Sequence, residues 1–142
     1  MFSIRHVKEE DRDFWFSHDL HMAQREFLIK VRDKRGYLML DDQKPVGILR
    51  YNLFWDCIPF LSLIYILENY RRREYGKKAI MHWENEMQIL GYNAVMTSTQ
   101  VDEEAQHFYR KLGYRDTGSL VLDIPGYEQP MEMFMIKPLC GK

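Results

Sequence analysis

The chain has 142 residues, which is enough for one domain and leaves no room for a second of ordinary size. Apolar residues make up 46% and aromatic residues 14%, so the chain can bury a sizeable core. Its 20 basic and 21 acidic side chains give a formal net charge of -1, which argues against a general grip on nucleic acid. We expect a single domain over residues 1–142.

The cysteines and the hydrophobic runs limit the compartment and the cofactors. Cys57 and Cys140 are far apart and lack the CxxC spacing of metal or redox centres, so we predict reduced thiols and no metal. Residues 1–6 lack the charged leader and apolar stretch of a signal peptide, and no apolar run reaches membrane-spanning length. We therefore expect a cytoplasmic protein that does not bind membranes.

The first 54 residues predict one strand, two helices and a hairpin. Alternation favours a strand at Phe2–Val7, and the acidic run Lys8–Asp11 is typical of a helix's first turn. A second helix is expected at about Met22–Val31. Strands at Tyr37–Leu40 and Val46–Phe54, joined by a polar loop, form the hairpin.

A continuous apolar run and a long periodic segment follow. Phe60–Leu67 shows no alternation, which predicts a strand buried on both faces. The next segment is helical and ends at Gly91, a typical cap residue. Its inward face is predicted to contain Ala79, Ile80, Trp83, Met87 and Leu90.

The last third predicts a strand, a helix and two closing strands. Tyr92–Ser98 is the strand, and Asp102 can cap a helix over Glu103–Leu112. The closing strands are expected at about Tyr114–Leu122 and Glu128–Ile136. This order of elements predicts an α/β protein with a mixed sheet that helices cover on both faces.

A basic segment, Arg71–Ile80, lies between the apolar strand and the periodic helix. A strand, a short loop and a helix in this order present unpaired backbone N–H groups and the positive end of a helix dipole to one point. Arginines and lysines there raise the affinity for a pyrophosphate. Without its neighbours, such a segment is more often a solvated helix face or a polyanion-binding patch.

Two patterns in the chain resemble the GNAT superfamily of acyl-coenzyme A dependent N-acyltransferases. The first is Arg71-Arg72-Arg73-Glu74-Tyr75-Gly76, similar to the family's Arg/Gln-x-x-Gly-x-Gly/Ala loop, with Glu74 at the first glycine. The second is Asp102-x-x-Ala105-x-x-Phe108-Tyr109-x-Lys111-x-Gly113-Tyr114, similar to the family's Asn-x-x-Ala-x-x-Phe-Tyr-x-Lys-x-Gly-Phe. The resemblance extends from Ile4 to about Ile136. It implies a mixed, mostly antiparallel sheet of about seven strands with about four helices.

The resemblance also implies a coenzyme site. Acetyl-coenzyme A would be the acyl donor, held in a gap between the fourth and fifth strands. A main-chain N–H of Ile66 or Leu67 would stabilise the oxyanion. The residues implied in coenzyme binding are these two together with Arg71, Arg73, Glu74, Tyr75, Gly76, Lys77, Lys78, Asp102 and Phe108.

Direct attack by an amine on the thioester needs a proton acceptor and a proton donor, but no covalent enzyme intermediate. Tyr109 is the predicted donor to the leaving thiolate, with simple packing against the coenzyme as the alternative. Glu68 is the candidate base. Because it is close to Arg71–Arg73 in the sequence, the alternative is that it only forms an ion pair. Asp56 and a chain of waters are further candidates for this role.

The acceptor pocket of the family is usually shaped by the first two helices and their loop. That region contains His18, Asp19, His21, Met22 and Arg25, and Trp55 and Tyr127 are candidates from elsewhere in the chain. Asp19 could attract an ammonium group and Arg25 a carboxylate, which selects no single substrate.

The leading hypothesis is a cytoplasmic N-acetyltransferase for a primary amine of a small molecule, peptide or protein, working as a monomer or homodimer. One alternative is an acyl-coenzyme A binding module with weakened catalysis. Another is an RNA-binding protein that uses the basic segment; the neutral net charge argues against it.

Overall fold

The computed structural model describes residues 1–139. The seven strands are β1 (Phe2–His6), β2 (Gly36–Asp41), β3 (Lys44–Phe54), β4 (Ile58–Ile66), β5 (Ala94–Gln100), β6 (Arg115–Leu120) and β7 (Glu132–Pro138). The four α-helices are α1 (Arg12–His18), α2 (Gln24–Asp33), α3 (Tyr75–Ile89) and α4 (Ala105–Lys111). The predicted order of elements is confirmed, with ends that differ by a few residues. Cys140 lies outside the described residues.

The strands form one sheet in the order β1-β2-β3-β4-β5-β7-β6. The pairs β1–β2, β2–β3, β5–β7 and β6–β7 are antiparallel, while β4 and β5 are parallel and pair at Phe60–Met96 and Leu61–Thr97. The chain therefore has the mixed sheet that the order of elements predicts, and it is mostly antiparallel, as the resemblance implies.

The described residues pack as two compact units. The first comprises Met1–Asn52 and Ser62–Trp83, and the second comprises Leu53–Leu61 with the described residues from Glu84 onward. In the first unit, α1 and α2 cover the sheet through a core cluster of Val7, Trp15, Phe27, Leu38, Leu40 and Ile48. The second unit buries Val95, Met96, Tyr114 and Met135. Burial of these large side chains is the main favourable contribution to each unit.

The predicted inward face of α3 is correct at four positions and wrong at the fifth. Ala79, Ile80, Trp83 and Met87 are fully buried, whereas Leu90 is 61% exposed. Leu90 follows the last helical residue, and the chain turns away there because Gly91 has a φ of 99°. Backbone bonds from the N–H groups of residues 91 and 92 to the carbonyls of residues 88 and 87 close the helix, as a cap glycine allows.

Two further expectations are wrong. β4 is not buried on both faces, because only Pro59 and Leu61 are buried and its other residues are half-buried. Asp102 does not cap α4, which begins at Ala105 with Glu104 at the N-cap and without a side-chain capping bond. The acidic run before α4 therefore forms a turn instead of a first helical turn.

Two turns use left-handed backbone at residues other than glycine. Asp42 and Gln43 join β2 to β3 with φ values of 50° and 71°. Trp55 and Asp56, with φ values of 54° and 60°, lie in the turn between β3 and β4, next to the exposed thiol of Cys57. Such turns match the twist of the strands they connect.

No helix within residues 1–139 is both long enough and apolar enough to cross a membrane.

Glu84 is a buried carboxylate in the second half of α3, outside the inward face that the sequence predicts. It accepts a hydrogen bond from the Tyr114 hydroxyl at 2.7 Å and pairs with the Lys137 ammonium at 2.8 Å. Burial, together with the neighbouring Glu84, raises the pKa of Tyr114 far above its usual value. One carboxylate thus satisfies the buried Tyr114 hydroxyl and the partly buried Lys137 ammonium, which lie in different parts of the chain.

Replacing Glu84 should be costly for stability. Glu84→Ala leaves the Tyr114 hydroxyl and the Lys137 ammonium without their acceptor, and we expect the free energy of unfolding to fall by roughly 3 kcal/mol. Urea unfolding measures this change. Asn85→Ala, at an exposed neighbour on the same helix, is the control and should change stability by less than about 0.5 kcal/mol. If Glu84→Ala lowers the free energy of unfolding no more than Asn85→Ala does, the buried carboxylate is not important for stability.

Candidate active site

The loop between β4 and α3 delivers backbone donors to one place. After β4, Glu68–Tyr70 forms a 3-10 turn, and residues 71–74 lead into α3 at Tyr75. The Lys78 N–H donates to the Glu74 carbonyl at 3.0 Å, the bond expected for the start of an α-helix. The N–H groups of Tyr75, Gly76 and Lys77 precede that bond, so the helix itself offers them no acceptor. These three amides and the helix dipole favour an anion at this end.

The loop carries backbone strain at two residues. Arg72 and Glu74 have φ values of 66° and 64°, in the left-handed region that residues with a Cβ avoid. Such a conformation costs of order 1–3 kcal/mol per residue and persists only where the surroundings impose it. Glu74 occupies the position of the first glycine in the family pattern, and glycine adopts this φ freely. Residue 74 therefore has a backbone conformation that suits glycine, although it is a glutamate.

Arg71 anchors the loop to the end of β4. Its Nε donates to the Ile66 carbonyl at 2.8 Å, and its guanidinium carbon lies 5.3 Å from the centre of the Tyr65 ring. The Tyr65 ring also stacks on the ring of His18 in α1, with ring centres 4.9 Å apart. The sequence predicts Arg71 as a coenzyme ligand, and in the structure part of its side chain holds the loop.

Tyr75 anchors the other end of the loop. Its hydroxyl donates to Asp41 Oδ1 at 2.6 Å, and its ring lies 4.8 Å from Phe2 and 6.4 Å, nearly parallel, from Tyr70. The bond from Tyr75 lowers the pKa of Asp41, and the same bond raises the pKa of Tyr75. The Arg73 guanidinium carbon sits 5.0 Å from the Tyr70 ring centre. The first helical residue is therefore held by a hydrogen bond and by ring contacts.

Glu68 lies on the exposed 3-10 turn directly after β4. Within residues 1–139 its carboxylate forms no ion pair with Arg71, Arg72 or Arg73, although it is close to them in sequence. The ion-pair interpretation of this side chain is thus not supported. Asp56, the other candidate base, is an exposed residue of the tight turn before β4.

The two candidate oxyanion donors differ in availability. The Leu67 N–H donates to the Val46 carbonyl of β3 at 2.9 Å, so this amide is already bonded. Successive residues of a strand direct their N–H groups to opposite edges. The Ile66 N–H therefore points away from β3, which makes Ile66 the better candidate of the two.

Tyr109 is buried on α4, and only 6% of its surface is exposed. Burial raises the pKa of its hydroxyl to about 12, while a hydrogen bond with Thr97 acts in the opposite direction. The Thr97 hydroxyl itself donates to the Leu61 carbonyl at 3.2 Å. Phe108, which packs edge-on against Tyr109 at 5.4 Å, is 36% exposed. Tyr109 is therefore a neutral phenol at physiological pH, next to the point where β4 and β5 pair.

The turn before α4 depends on Glu103, which the sequence analysis does not single out. Its Oε1 accepts from the Thr99 hydroxyl and from the Gln100 N–H, both at 2.9 Å. Asp102 is exposed in the same turn. Glu103 lies three residues after Gln100, and a carboxylate at this distance often accepts a hydrogen bond from the earlier backbone N–H. This spacing is the sequence signal that could have indicated Glu103.

The loop after α1 contains a buried ion pair. Asp19 is 2% exposed, and its Oδ2 accepts from Trp15 Nε1 at 3.0 Å and from Arg50 Nε at 2.7 Å. Desolvation would raise the pKa of Asp19, but the bonds from Arg50 and Trp15 outweigh it and lower the pKa. The idea that Asp19 attracts a substrate ammonium is therefore wrong, since Arg50 already occupies it. The two residues are 31 positions apart, and no local pattern connects them.

The remaining residues of the predicted acceptor region do not form a cluster, since His18 is the last residue of α1, His21 and Met22 lie in the loop after it, and Arg25 lies in α2. His21 and Arg25 are exposed, and Met22 packs against the core of the first unit. Among residues 1–139, no three His, Cys, Asp or Glu side chains come together in a way that could hold a metal ion.

A seven-stranded mixed sheet with an amide-presenting loop after its fourth strand is the arrangement that the family resemblance implies. The sequence matches the family described as Acetyltransferase (GNAT) over residues 3–114. The chain belongs to this family, and the resemblance stated from the two sequence patterns is confirmed.

Solved structures share the fold at low sequence identity. Ard1 from Thermoplasma volcanium is 18% identical, with 99% of each chain covered and a TM-score of 0.81. The ribosomal-protein-S18-alanine N-acetyltransferase from Escherichia coli is 15% identical, with 100% of this chain and 96% of that chain covered and a TM-score of 0.82. Arabidopsis thaliana Naa50, in complex with the bisubstrate analogue CoA-Ac-MVNAL, is 14% identical, with coverage of 96% and 97% and a TM-score of 0.79. A search of curated proteins found no match.

The raised pKa of Tyr109 predicts a loss of stability in alkali. The pKa moves from 10.0 in its usual state to about 12 in the folded protein, so the stabilisation is complete below pH 10 and is lost as the pH rises through about 12. Between pH 8 and roughly 11.5 we expect this residue to remove about 2 kcal/mol from the free energy of unfolding.

Urea unfolding at the two pH values tests this expectation. The decline should be smaller in Tyr109→Phe than in the wild type, because phenylalanine does not ionise. Tyr92→Phe, a change in a less buried tyrosine, is the control and should leave the decline unchanged. A decline of the same size in all three proteins would contradict the assignment.

Proposed function

We propose that this GNAT-family protein is an N-acetyltransferase that uses acetyl-coenzyme A and transfers the acetyl group directly to a primary amine in a ternary complex. The observation that carries the proposal is the loop after β4, in which three helix-start amides are presented on a strained backbone that is fixed at both ends. A dianionic pyrophosphate matches such a donor set in charge and geometry.

In this proposal the coenzyme's pyrophosphate binds the N–H groups of Tyr75, Gly76 and Lys77. The side chains of Arg73 and Lys78 supplement these amides with positive charge. Both side chains also lie over aromatic rings, Arg73 over Tyr70 and Lys78 over Tyr75, which limits their freedom. Backbone donors and partly ordered cations together favour tight binding of the donor. On the resemblance alone, Arg71, Glu74, Asp102 and Phe108 are further proposed contacts.

The acyl step requires stabilisation of negative charge on the thioester oxygen. We assign this role to the Ile66 N–H, because the neighbouring Leu67 amide already bonds to β3. The amine nitrogen attacks the carbonyl carbon, the C–S bond then breaks, and the electron pair leaves on sulfur. One proton must leave the nitrogen and one must reach the sulfur for the products to be an amide and a thiol.

Tyr109 is the proposed donor to the sulfur. A phenol with a pKa of about 12 holds its proton more tightly than a thiol, whose ordinary pKa is about 8.5. Complete proton transfer from Tyr109 would therefore be uphill, and we propose that its hydroxyl donates a hydrogen bond to the developing thiolate. The thiol's final proton comes from the attacking amine, by way of the base and solvent.

Glu68 is the proposed base. Its carboxylate is exposed, directly follows the strand that carries Ile66, and forms no ion pair with the neighbouring arginines in the described part of the chain. A chain of waters from the amine to bulk solvent is the alternative acceptor of this proton.

Two of the similar structures suggest the class of amine. Their names specify a ribosomal-protein alanine acceptor in one case and a coenzyme-linked MVNAL sequence in the other. A peptide or protein amine is therefore a sensible first acceptor to test, beside small primary amines.

A second candidate function is an acyl-coenzyme A binding module with weakened catalysis. Two departures from the family pattern favour this alternative: Glu74 stands with a left-handed φ where the pattern has glycine, and Asp102 stands where the pattern has asparagine. Free thiol released from acetyl-coenzyme A in the presence of an amine panel separates the two. Release above the amine-free rate supports the enzyme, and binding without release supports the module.

Removing one loop amide should weaken coenzyme binding strongly. Gly76→Pro deletes an N–H and restricts the residue before it, and we expect the dissociation constant for coenzyme A to rise at least about tenfold. Isothermal titration calorimetry measures the change. Gly76→Ala keeps the N–H and is accepted by the family pattern, so it should bind within about threefold of the wild type. Unchanged affinity in Gly76→Pro would contradict the loop assignment.

Removing the Tyr109 hydroxyl should slow turnover without weakening coenzyme binding. For Tyr109→Phe we expect kcat to fall about 100-fold, the size typical for the loss of one transition-state hydrogen bond, while the Kd for coenzyme A changes little. Steady-state kinetics and calorimetry provide the two numbers. Full activity of this variant would remove Tyr109 from the mechanism, and Tyr92→Phe controls for the loss of a phenol elsewhere.

A further inference from the structure

Asp41 lies at the end of β2 and contacts the first residue of α3. The Tyr75 hydroxyl donates to its carboxylate at 2.6 Å, a short charge-assisted hydrogen bond. Neither sequence pattern includes Asp41. We infer that Asp41, acting through Tyr75, is a positioning residue that holds the pyrophosphate loop in its binding conformation. This inference rests on the proposed function, because it concerns affinity for the coenzyme.

The loop needs such support because its conformation is intrinsically unfavourable. Arg72 and Glu74 both adopt left-handed φ values, and only one residue separates them. A free segment of this sequence would relax to extended or right-handed backbone at both positions. Contacts on both sides of the pair must therefore fix the loop.

The contacts on the β4 side come from Arg71. The bond from its Nε to the Ile66 carbonyl ties the start of the loop to the strand that precedes it. The position of its guanidinium group over Tyr65 limits rotation of the side chain. This contact fixes one end, but it leaves the turn into α3 free to move.

The contacts on the α3 side come from Tyr75. Phe2 and Tyr70 lie against its ring, so they restrict tilting of the ring plane. Ring contacts are tolerant of sliding, whereas a hydrogen bond of 2.6 Å to a fixed carboxylate fixes the position of the hydroxyl. Asp41 is itself fixed, because its backbone is paired with Phe2 and with Lys44 in the sheet.

The consequence is a dependence of coenzyme affinity on a residue that need not touch the coenzyme. If the hydrogen bond is lost, a fraction of the molecules will relax at Arg72 and Glu74, and the amides of α3 will no longer converge. The apparent dissociation constant rises in inverse proportion to the fraction that keeps the binding conformation. Chemistry after binding is unchanged, so KM for acetyl-coenzyme A rises while kcat is retained.

Tyr75→Phe removes the hydroxyl and keeps the ring. We expect the Kd for coenzyme A, measured by calorimetry, and the KM for acetyl-coenzyme A each to rise about fivefold, with kcat within about twofold. Tyr92→Phe is the matched control, since it deletes the same group outside the loop, and it should leave all three values unchanged.

A second background tests the physical cause. Glycine adopts the backbone of residue 74 without strain, so in Glu74→Gly only the strain at Arg72 remains and the loop depends less on the hydrogen bond. Adding Tyr75→Phe to Glu74→Gly should raise the Kd by at most about twofold, and this loss of coupling is a double-mutant cycle. A residue with a merely structural role would lower thermal stability equally in both backgrounds and would leave the Kd unchanged.

The outcomes separate this inference from the proposed function. If the wild type binds coenzyme A and Tyr75→Phe binds it equally well, the inference is overturned and the proposed function survives. A fivefold effect that persists in the Glu74→Gly background also overturns it, because strain is then not the cause. Absence of coenzyme A binding to the wild type overturns the proposed function, and the inference falls with it.

Discussion

An α-helix cannot satisfy its own first N–H groups, and in this protein that limit defines the candidate site. The amides at the start of α3 are presented by a loop that contains two left-handed residues, Arg72 and Glu74. Such a backbone is held by its neighbours, through Arg71 on β4 and Tyr75 on α3. The first unit of the fold therefore stores strain in one short segment, and the positions of the amide donors in the candidate site depend on that strained conformation.

The loop shows what a glycine would offer at residue 74. Glycine permits a positive φ, and this chain adopts a φ of 64° there with glutamate. The cost of this backbone is therefore higher than with glycine, and the surrounding contacts must supply the difference. Tyr109 shows a similar contrast, because burial makes its hydroxyl a weak acid while keeping it protonated and available as a hydrogen-bond donor.

The order of elements and most of the α3 core face could be predicted from the sequence, because apolar periodicity is a local signal that burial obeys. The prediction for Leu90 was wrong because α3 ends at Ile89, and the chain turns at Gly91 directly after Leu90. Glu84 and Asp19 could not be predicted as buried, since their cationic partners Lys137 and Arg50 lie 53 and 31 residues away. The position of the loop between β4 and α3 could be predicted from the strand and the helix beside it. The left-handed backbone of Arg72 and Glu74 could not, because neither residue type favours it. The cytoplasmic location, the single domain, the oligomeric state and the amine acceptor stay predictions.

Cys57 projects an exposed sulfhydryl from the tight turn between β3 and β4. Acyl transfer liberates the thiol of coenzyme A, and electrophilic dyes that count this product do not distinguish it from an accessible cysteine. The protein will therefore consume dye in proportion to its own concentration before any turnover occurs. Cys57→Ser would remove the background signal that this thiol causes. In the wild type, the Cys57 thiol is a site at which a fluorophore can be attached to the turn between β3 and β4.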